Sequence, residues 1–120
     1  MAKLSKQVWG TLEDGSQVVL YRLTLKDGSY VDLSNLGARL VSCVMPDRQG
    51  KLDNCVQGYP ELSDYLKDGK NHGATCGRYA NRLAAAAITL DGKQYQLEAN
   101  EGPNTLHGGF AGYNLHLWDC

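Results

Sequence analysis

Short apolar-patterned runs, broken at intervals by turn residues, cover most of this chain. Between such runs, Asp-Gly dipeptides stand at 14–15, 27–28 and 91–92. Asp-Gly between such runs signals a tight hairpin in which both central residues take positive φ. A two-residue loop at 91–92 predicts Leu90 opposite Lys93, Ile88 opposite Tyr95 and Ala86 opposite Leu97. Ile88, Tyr95, Ala86 and Leu97 then share one face, and Thr89, Gln94 and Gln96 the other, so one face is expected buried and one wet. The same reasoning sets Thr11 opposite Val18 and Trp9 opposite Leu20 around the first turn. Around the second it sets Leu25 opposite Tyr30 and Leu23 opposite Asp32.

A further strand is expected over Arg39–Met45, ended by turn chemistry in Pro46-Asp-Arg-Gln-Gly50, with a short partner strand inside 51–58. The one helical candidate starts at Pro60, carries Leu62 and Leu66 four apart, and stops at Asp68-Gly69. Ala84–Ala87 has helical propensity but reads as strand, because four residues cannot nucleate a helix alone. Tyr113, Leu115 and Leu117 alternate as one more strand with no partner after it, leaving an edge through which the chain would self-associate. About seven short strands separated by turns make an antiparallel all-β sandwich.

Composition narrows the partners. At 120 residues the chain is one domain at most, or a piece of one. Fourteen Gly against three Pro, and seven Tyr against one Phe, favour a turn-rich β protein over a helical bundle. A net charge of −1 supplies no electrostatic reason to bind nucleic acid or an anionic membrane. The first residues from Met1 lack the apolar run of a secretory signal, and no stretch has the length of a membrane span. Cys43, Cys55, Cys76 and Cys120 form no C-x-x-C pair, and His72, His107 and His116 lack zinc-finger spacing. The cysteines read as small buried thiols in a reducing cytosol.

Candidate chemistry gathers in Gly77-Arg-Tyr-Ala-Asn-Arg82 and Asn104-Thr-Leu-His-Gly-Gly109, on either side of the third hairpin. Arg78 and Arg82 fall on one side of an extended segment. There they form a solvated stripe, clamp a carboxylate, or hydrogen-bond sugar hydroxyls. Asn104 follows Pro103 and suits a loop cap. His107-Gly-Gly has the look of an oxyanion loop, but no G-x-S-x-G accompanies it. Gly108 and Gly109 instead let the backbone pass close to a ligand or a neighbouring strand. The residues alone define a polar site for a neutral, hydroxyl-rich ligand, and no reaction.

These two motifs, with Leu90-Asp-Gly92, Gly112-Tyr113 and Trp118, resemble the galactose mutarotase (aldose 1-epimerase) family. Asn35–Ser42, Pro46–Gly50, Gln57-Gly-Tyr59 and His72-Gly-Ala-Thr75 are similar to it as well. The likeness runs from about Tyr21 to Trp118 and is read as one to the N-terminal third of the family only. It implies a truncated antiparallel β-supersandwich, residues 1–120 forming the N-terminal part of a single domain. It also implies a cytoplasmic protein that interconverts the α and β anomers of aldohexoses such as galactose and glucose, with no metal or cofactor. Asn81 and Arg82 match substrate-binding positions; His107 matches a catalytic and substrate-binding histidine near the ring oxygen and anomeric centre. Arg78 is left as structural. In the family a second histidine, a sugar-binding aspartate and the glutamate base come from later segments, and His116 lies outside the matching motif. Ala84–Ala87 replaces a stretch that usually carries a glycine and an aromatic. The resemblance therefore implies an incomplete constellation. Its alternatives are a non-catalytic carbohydrate- or partner-binding module and a non-functional truncated product.

Overall fold

Five strands follow one another as a meander in the computed structural model, which describes residues 2–120. β1 (Lys3–Thr11), β2 (Gln17–Thr24), β3 (Tyr30–Ser34), β4 (Arg39–Pro46) and β5 (Leu52–Asn54) each pair antiparallel with the next. Helix α1 (Leu62–Asp68) follows. Beyond it stand β6 (Arg82–Leu83), hairpin β7 (Ala87–Leu90) and β8 (Lys93–Gln96), and β9 (Thr105–Leu106), which returns to pair with β6. The fold is all-β and antiparallel, as the turn pattern predicts.

The three Asp-Gly hairpin turns do not fold alike. At the third, Asp91 and Gly92 have φ of 50° and 77°, and the two-residue loop gives the predicted Leu90–Lys93 and Ile88–Tyr95 pairs. At the first two only the glycines have positive φ, 86° at Gly15 and 87° at Gly28. Leu12 N–H donates to Ser16 O (2.9 Å) and Leu25 N–H to Ser29 O (2.8 Å), closing loops one residue longer, a turn followed by a glycine bulge. The cause is legible in retrospect: serine follows both of these Asp-Gly pairs, where lysine follows the third. The Asp14 and Asp27 carboxylates accept the Ser16 and Ser29 N–H groups at 2.9 and 3.0 Å. These bonds hold both carboxyls below the usual carboxylate range, the Ser16 N–H leading at Asp14 and the Ser29 hydroxyl at Asp27.

The extra residue moves the register by one. Thr11 pairs with Gln17 rather than Val18, and Trp9, expected opposite Leu20, sits in a bulge between Val8 and Gly10. Leu23 faces Val31, not Asp32, and Arg22 takes the place opposite Asp32. Since a one-residue slip exchanges the two faces of a strand, this correction decides the polar interior. Asp32, 2% exposed, receives Arg22 Nε at 2.7 Å and Nη2 at 2.8 Å. The guanidinium also lies 3.9 Å from the centre of the Tyr30 ring.

The core lies between this sheet and α1. Val18 and Leu36 cluster with Leu62; Leu20 and Val41 cluster with Tyr65; Trp9 packs against both groups. Tyr65 stands edge-on to Trp9 and Tyr59, with ring centres 5.5 and 5.2 Å away, and its hydroxyl accepts the Tyr59 N–H at 3.0 Å. The helix thus buries Leu62 and Tyr65, three apart, and leaves Leu66 53% exposed, contrary to the predicted Leu62–Leu66 stripe. Tyr65 reaches further into the sheet than a leucine would. Gly69, at φ 62°, ends the helix as expected.

Three further expectations are corrected. Ala84–Ala86 forms a 3₁₀ turn, with φ of 53° at Ala85 and 47° at Ala86, so the strand starts only at Ala87. Ala86 O still accepts the Leu97 N–H at 2.7 Å, as the predicted Ala86–Leu97 pairing requires, and takes the Gln96 side-chain amide at 2.8 Å besides. The apolar face of β7–β8 is only partly covered: Ala86 is buried, but Tyr95 is 42% exposed. Tyr113–Leu115 is a 3₁₀ turn and not a strand. The chain after it bridges to the loop at 35–37, with Gly37 N–H donating to His116 O (2.7 Å) and Trp118 N–H to Asn35 O (2.8 Å). The segment expected to stand without a partner is thus joined on one side to the loop at 35–37. Finally, Cys55 and Cys120 are exposed and Cys43 and Cys76 half-buried, so the cysteines are free thiols but not core residues.

Candidate functional site

Pairing of β6 with β9 builds the site. Arg82 lies opposite Leu106 and Leu83 opposite Thr105, so the residue before β6, Asn81, meets the residue after β9, His107. His107 N–H donates to Asn81 O, and Asn81 N–H donates to His107 Nδ1, both at 3.0 Å. Both residues have left-handed backbones, φ 63° at Asn81 and 54° at His107. Asn and His are among the few non-glycine residues that populate this region.

Glycine is required beside them. Gly108 has φ 96°, and a Cβ there would lie 1.9 Å from the Gly77 carbonyl oxygen. A Cβ at Gly112 would come within 2.5 Å of His107 O. The two motifs are thus stacked backbone on backbone, in keeping with the close approach expected of Gly108.

The two arginines part company. The segment 77–81 is not extended, so Arg78 and Arg82 do not share a side. The Arg78 guanidinium lies 5.5 Å from the Tyr113 ring centre. Arg82 instead meets Glu101: Nη2 donates to Oε1 at 2.7 Å, and Nε lies 3.1 and 3.0 Å from the two carboxylate oxygens. Its Nη1 donates to Asn81 Oδ1 at 3.3 Å. Asn104 Nδ2 donates to Glu101 Oε2 at 3.4 Å, while its Oδ1 accepts the Ala85 N–H at 3.3 Å. The Arg82 guanidinium holds the Glu101 carboxyl below its ordinary range, and the carboxylate raises Arg82 in turn.

Glu101 was not singled out from the sequence. It lies in the connection between β8 and β9, and its partner is set by the β6–β9 pairing. A charge opposite Arg82 was the only available signal.

Chemically, the arrangement is an array of donors. An Nδ1 that accepts an amide proton is unprotonated, so the neutral ring carries its proton on Nε2. That N–H, the Arg82 guanidinium and the Asn81 amide are suited to oxygens that both donate and accept. Asn81 and Arg82 are exposed and His107 half-buried, so the site is an open surface. A cavity of about 800 Å³ lies nearby, walled by Leu83, Ile88, Leu97 and Tyr113 among others. Its lining includes Arg78, Gln96, Glu98 and Thr105 but none of Asn81, Arg82 and His107. Among the described residues, no three His, Cys, Asp or Glu side chains gather as metal ligands.

An antiparallel β meander followed by a strand pair that joins Asn81 to His107 is a shorter version of the galactose-mutarotase-like fold. The galactose 1-epimerase of Lactobacillus acidophilus NCFM superposes with a TM-score of 0.83 and 28% identity, covering 99% of this chain and 34% of that one. The family model for aldose 1-epimerase matches residues 20–120, and the chain belongs to that family. The galactose mutarotase of Sus scrofa is 39% identical over 118 residues, 98% of this chain and 34% of that protein. The aldose 1-epimerase of Escherichia coli (strain K12) is 34% identical over 105 residues, 88% of this chain and 30% of that protein. These matches correct the extent of the resemblance. The family model starts at residue 20, near Tyr21 as expected, but the relatives carry the likeness over 98% of the chain, β1 included, so it is not confined to an N-terminal third. The chain spans about a third of the length of the relatives it matches, 34% of the Sus scrofa protein.

Proposed function

We propose that this chain is one part of a single aldose 1-epimerase-like domain and binds an aldohexose, such as galactose or glucose, through Asn81, Arg82 and His107. The observation that carries the reading is the mutual hydrogen bonding of Asn81 and His107, which leaves the His107 Nε2–H as a directed donor. Anomer interconversion needs an acid that protonates the ring oxygen and a base that removes the anomeric hydroxyl proton. The ring then opens, and the aldehyde turns and recloses. His107 takes the place of the group facing the ring oxygen.

Among the described residues we read no equivalent base beside it. Two carboxylates are at hand: Glu98 accepts the Phe110 N–H at 3.2 Å, and Glu101 is committed to Arg82, whose guanidinium lowers its proton affinity and makes it a weak base. A missing general base removes a factor of about 10²–10⁴. The chain is therefore read as the sugar-recognising part of a mutarotase, with little turnover alone. The same commitment of Glu101 favours a carbohydrate-binding module over a free-standing enzyme. Four free thiols suit a reducing compartment, so the reading places the protein in the cytoplasm. No helix among the described residues is long and apolar enough to cross a membrane.

The test joins polarimetry of freshly dissolved α-galactose to an NMR titration of the chain with galactose. Relaxation at the buffer rate, with binding that is lost in His107→Asn, supports the reading. Acceleration abolished by His107→Asn shows that a base is present after all. Absence of any galactose binding refutes the assignment of the site.

A further inference from the structure

We propose that Glu101 is the positioning and specificity-determining residue of this site, orienting Arg82 and cancelling its charge so that the site takes neutral sugars in preference to anionic ones. The inference rests on the reading of Asn81, Arg82 and His107 as the sugar site.

An arginine on an exposed surface carries a full positive charge and many rotamers. Left alone, it would attract any carboxylate or phosphate through its fork and lose much freedom on binding an uncharged ligand. Here that fork is already filled. Nε and Nη2 both point at the Glu101 carboxylate, with the shortest contact 2.7 Å. The remaining edge is Nη1, which donates to Asn81 Oδ1 and so leaves the Asn81 NH₂ group as a free donor. One carboxylate thereby orders two donors.

Glu101 is itself anchored. Its backbone N–H donates to Asn104 O at 3.1 Å and its carbonyl accepts the Asn104 N–H at 2.9 Å, closing a turn over Gly102 and Pro103. The Asn104 side chain then ties the Glu101 carboxylate to Ala85 in the 3₁₀ turn after β6. The chain of contacts runs from Asn104 through Glu101 and Arg82 to Asn81, and from Asn81 to His107. An exposed ion pair contributes little to stability by itself. What this pair changes is which ligands Arg82 can accept.

The test compares galactose with galacturonate, the same ring bearing a carboxylate, by NMR titration of the wild-type chain and of Glu101→Gln and Glu101→Asp. Far-UV circular dichroism checks that each variant is folded. In wild type, galactose binds more tightly than galacturonate. Glu101→Gln keeps the shape but uncovers the Arg82 charge, and should shift the ratio of the two affinities towards galacturonate by roughly tenfold. Glu101→Asp retains the charge and should keep the ratio near that of wild type. A merely structural role would weaken both sugars together and leave the ratio unmoved. An unchanged ratio in Glu101→Gln, with galactose still bound and His107→Asn still abolishing binding, overturns the role of Glu101 and leaves the site reading intact. A wild-type chain that binds neither sugar overturns the site reading, and this inference with it.

Discussion

The two ends of this chain are held together by different physics. From β1 to α1 the order comes from buried apolar mass: Val18, Leu20, Leu36, Val41, Val44, Leu62 and Tyr65 are all under 10% exposed. Past Tyr65, Ala86 is the one buried apolar side chain among the described residues. There the strands are two residues long at β6 and β9, and the carbonyls and amides of Asn81, Ala85, Glu98 and Glu101 hold the chain in place. The scaffold is a packed object and the site is a hydrogen-bonded one. The first should fail when volume is removed, and the second when a donor, an acceptor or a glycine is changed.

The largest effect should come from the scaffold. Tyr65→Ala removes the ring that Trp9 and Tyr59 stand on and leaves the Tyr59 N–H without its acceptor. A loss of about 3–5 kcal/mol in urea-induced unfolding is expected. A loss under about 1 kcal/mol would mean that the helix is not part of the cooperative core.

Leu62 and Leu66 sharpen the same point within one helix. Leu62→Ala should lower stability by about 2–5 kcal/mol. Leu66→Ala, at an exposed position, should change it by no more than about 0.5 kcal/mol. Equal effects would restore the Leu62–Leu66 stripe that the sequence pattern predicts.

Gly108→Ala carries the comparison into the site. It adds about 1–3 kcal/mol for a left-handed non-glycine backbone, besides driving a methyl group into Gly77 O. Galactose titration should lose saturation in this variant while the urea midpoint falls less than in Tyr65→Ala. A wild-type titration curve would mean that the two motifs can separate without harm to the site.

The smallest effect is electrostatic. Because Arg82 lowers the Glu101 carboxyl in the folded state, the stability that this pair adds is present above the ordinary carboxylate range. It is lost as pH falls through the lowered folded value. Urea midpoints of wild type and Glu101→Gln should therefore differ at neutral pH and converge in acid. A difference that grows in acid would show the opposite sign of coupling.

Much of this architecture was legible in residue order. The Asp91-Gly92 register, the stop at Gly69 and the strand from Arg39 onward follow from local turn and cap chemistry, which depends on a few adjacent residues. The first two hairpins were displaced by one residue because Ser16 and Ser29 bond back to Asp14 and Asp27, a local effect that the Asp-Gly pair alone does not announce. The motifs around Asn81 and His107 were legible as neighbours of strands, but not as partners of one another. Their meeting depends on β9 returning across a hairpin of independent register to pair with β6.

The sequence by itself determined the elements: antiparallel strands, their turns, one short helix, and membership of the aldose 1-epimerase family, which extends over nearly the whole chain. These follow from short-range backbone preferences and from residues in fixed order. Tertiary structure alone decided that Tyr65 rather than Leu66 fills the core, that Arg22 rather than Leu23 faces Asp32, and that Arg82 turns from Arg78 to Glu101. Each of these choices is made by a neighbour distant in sequence. Burial, register and charge pairing are properties of the surface a residue meets, which no local pattern carries.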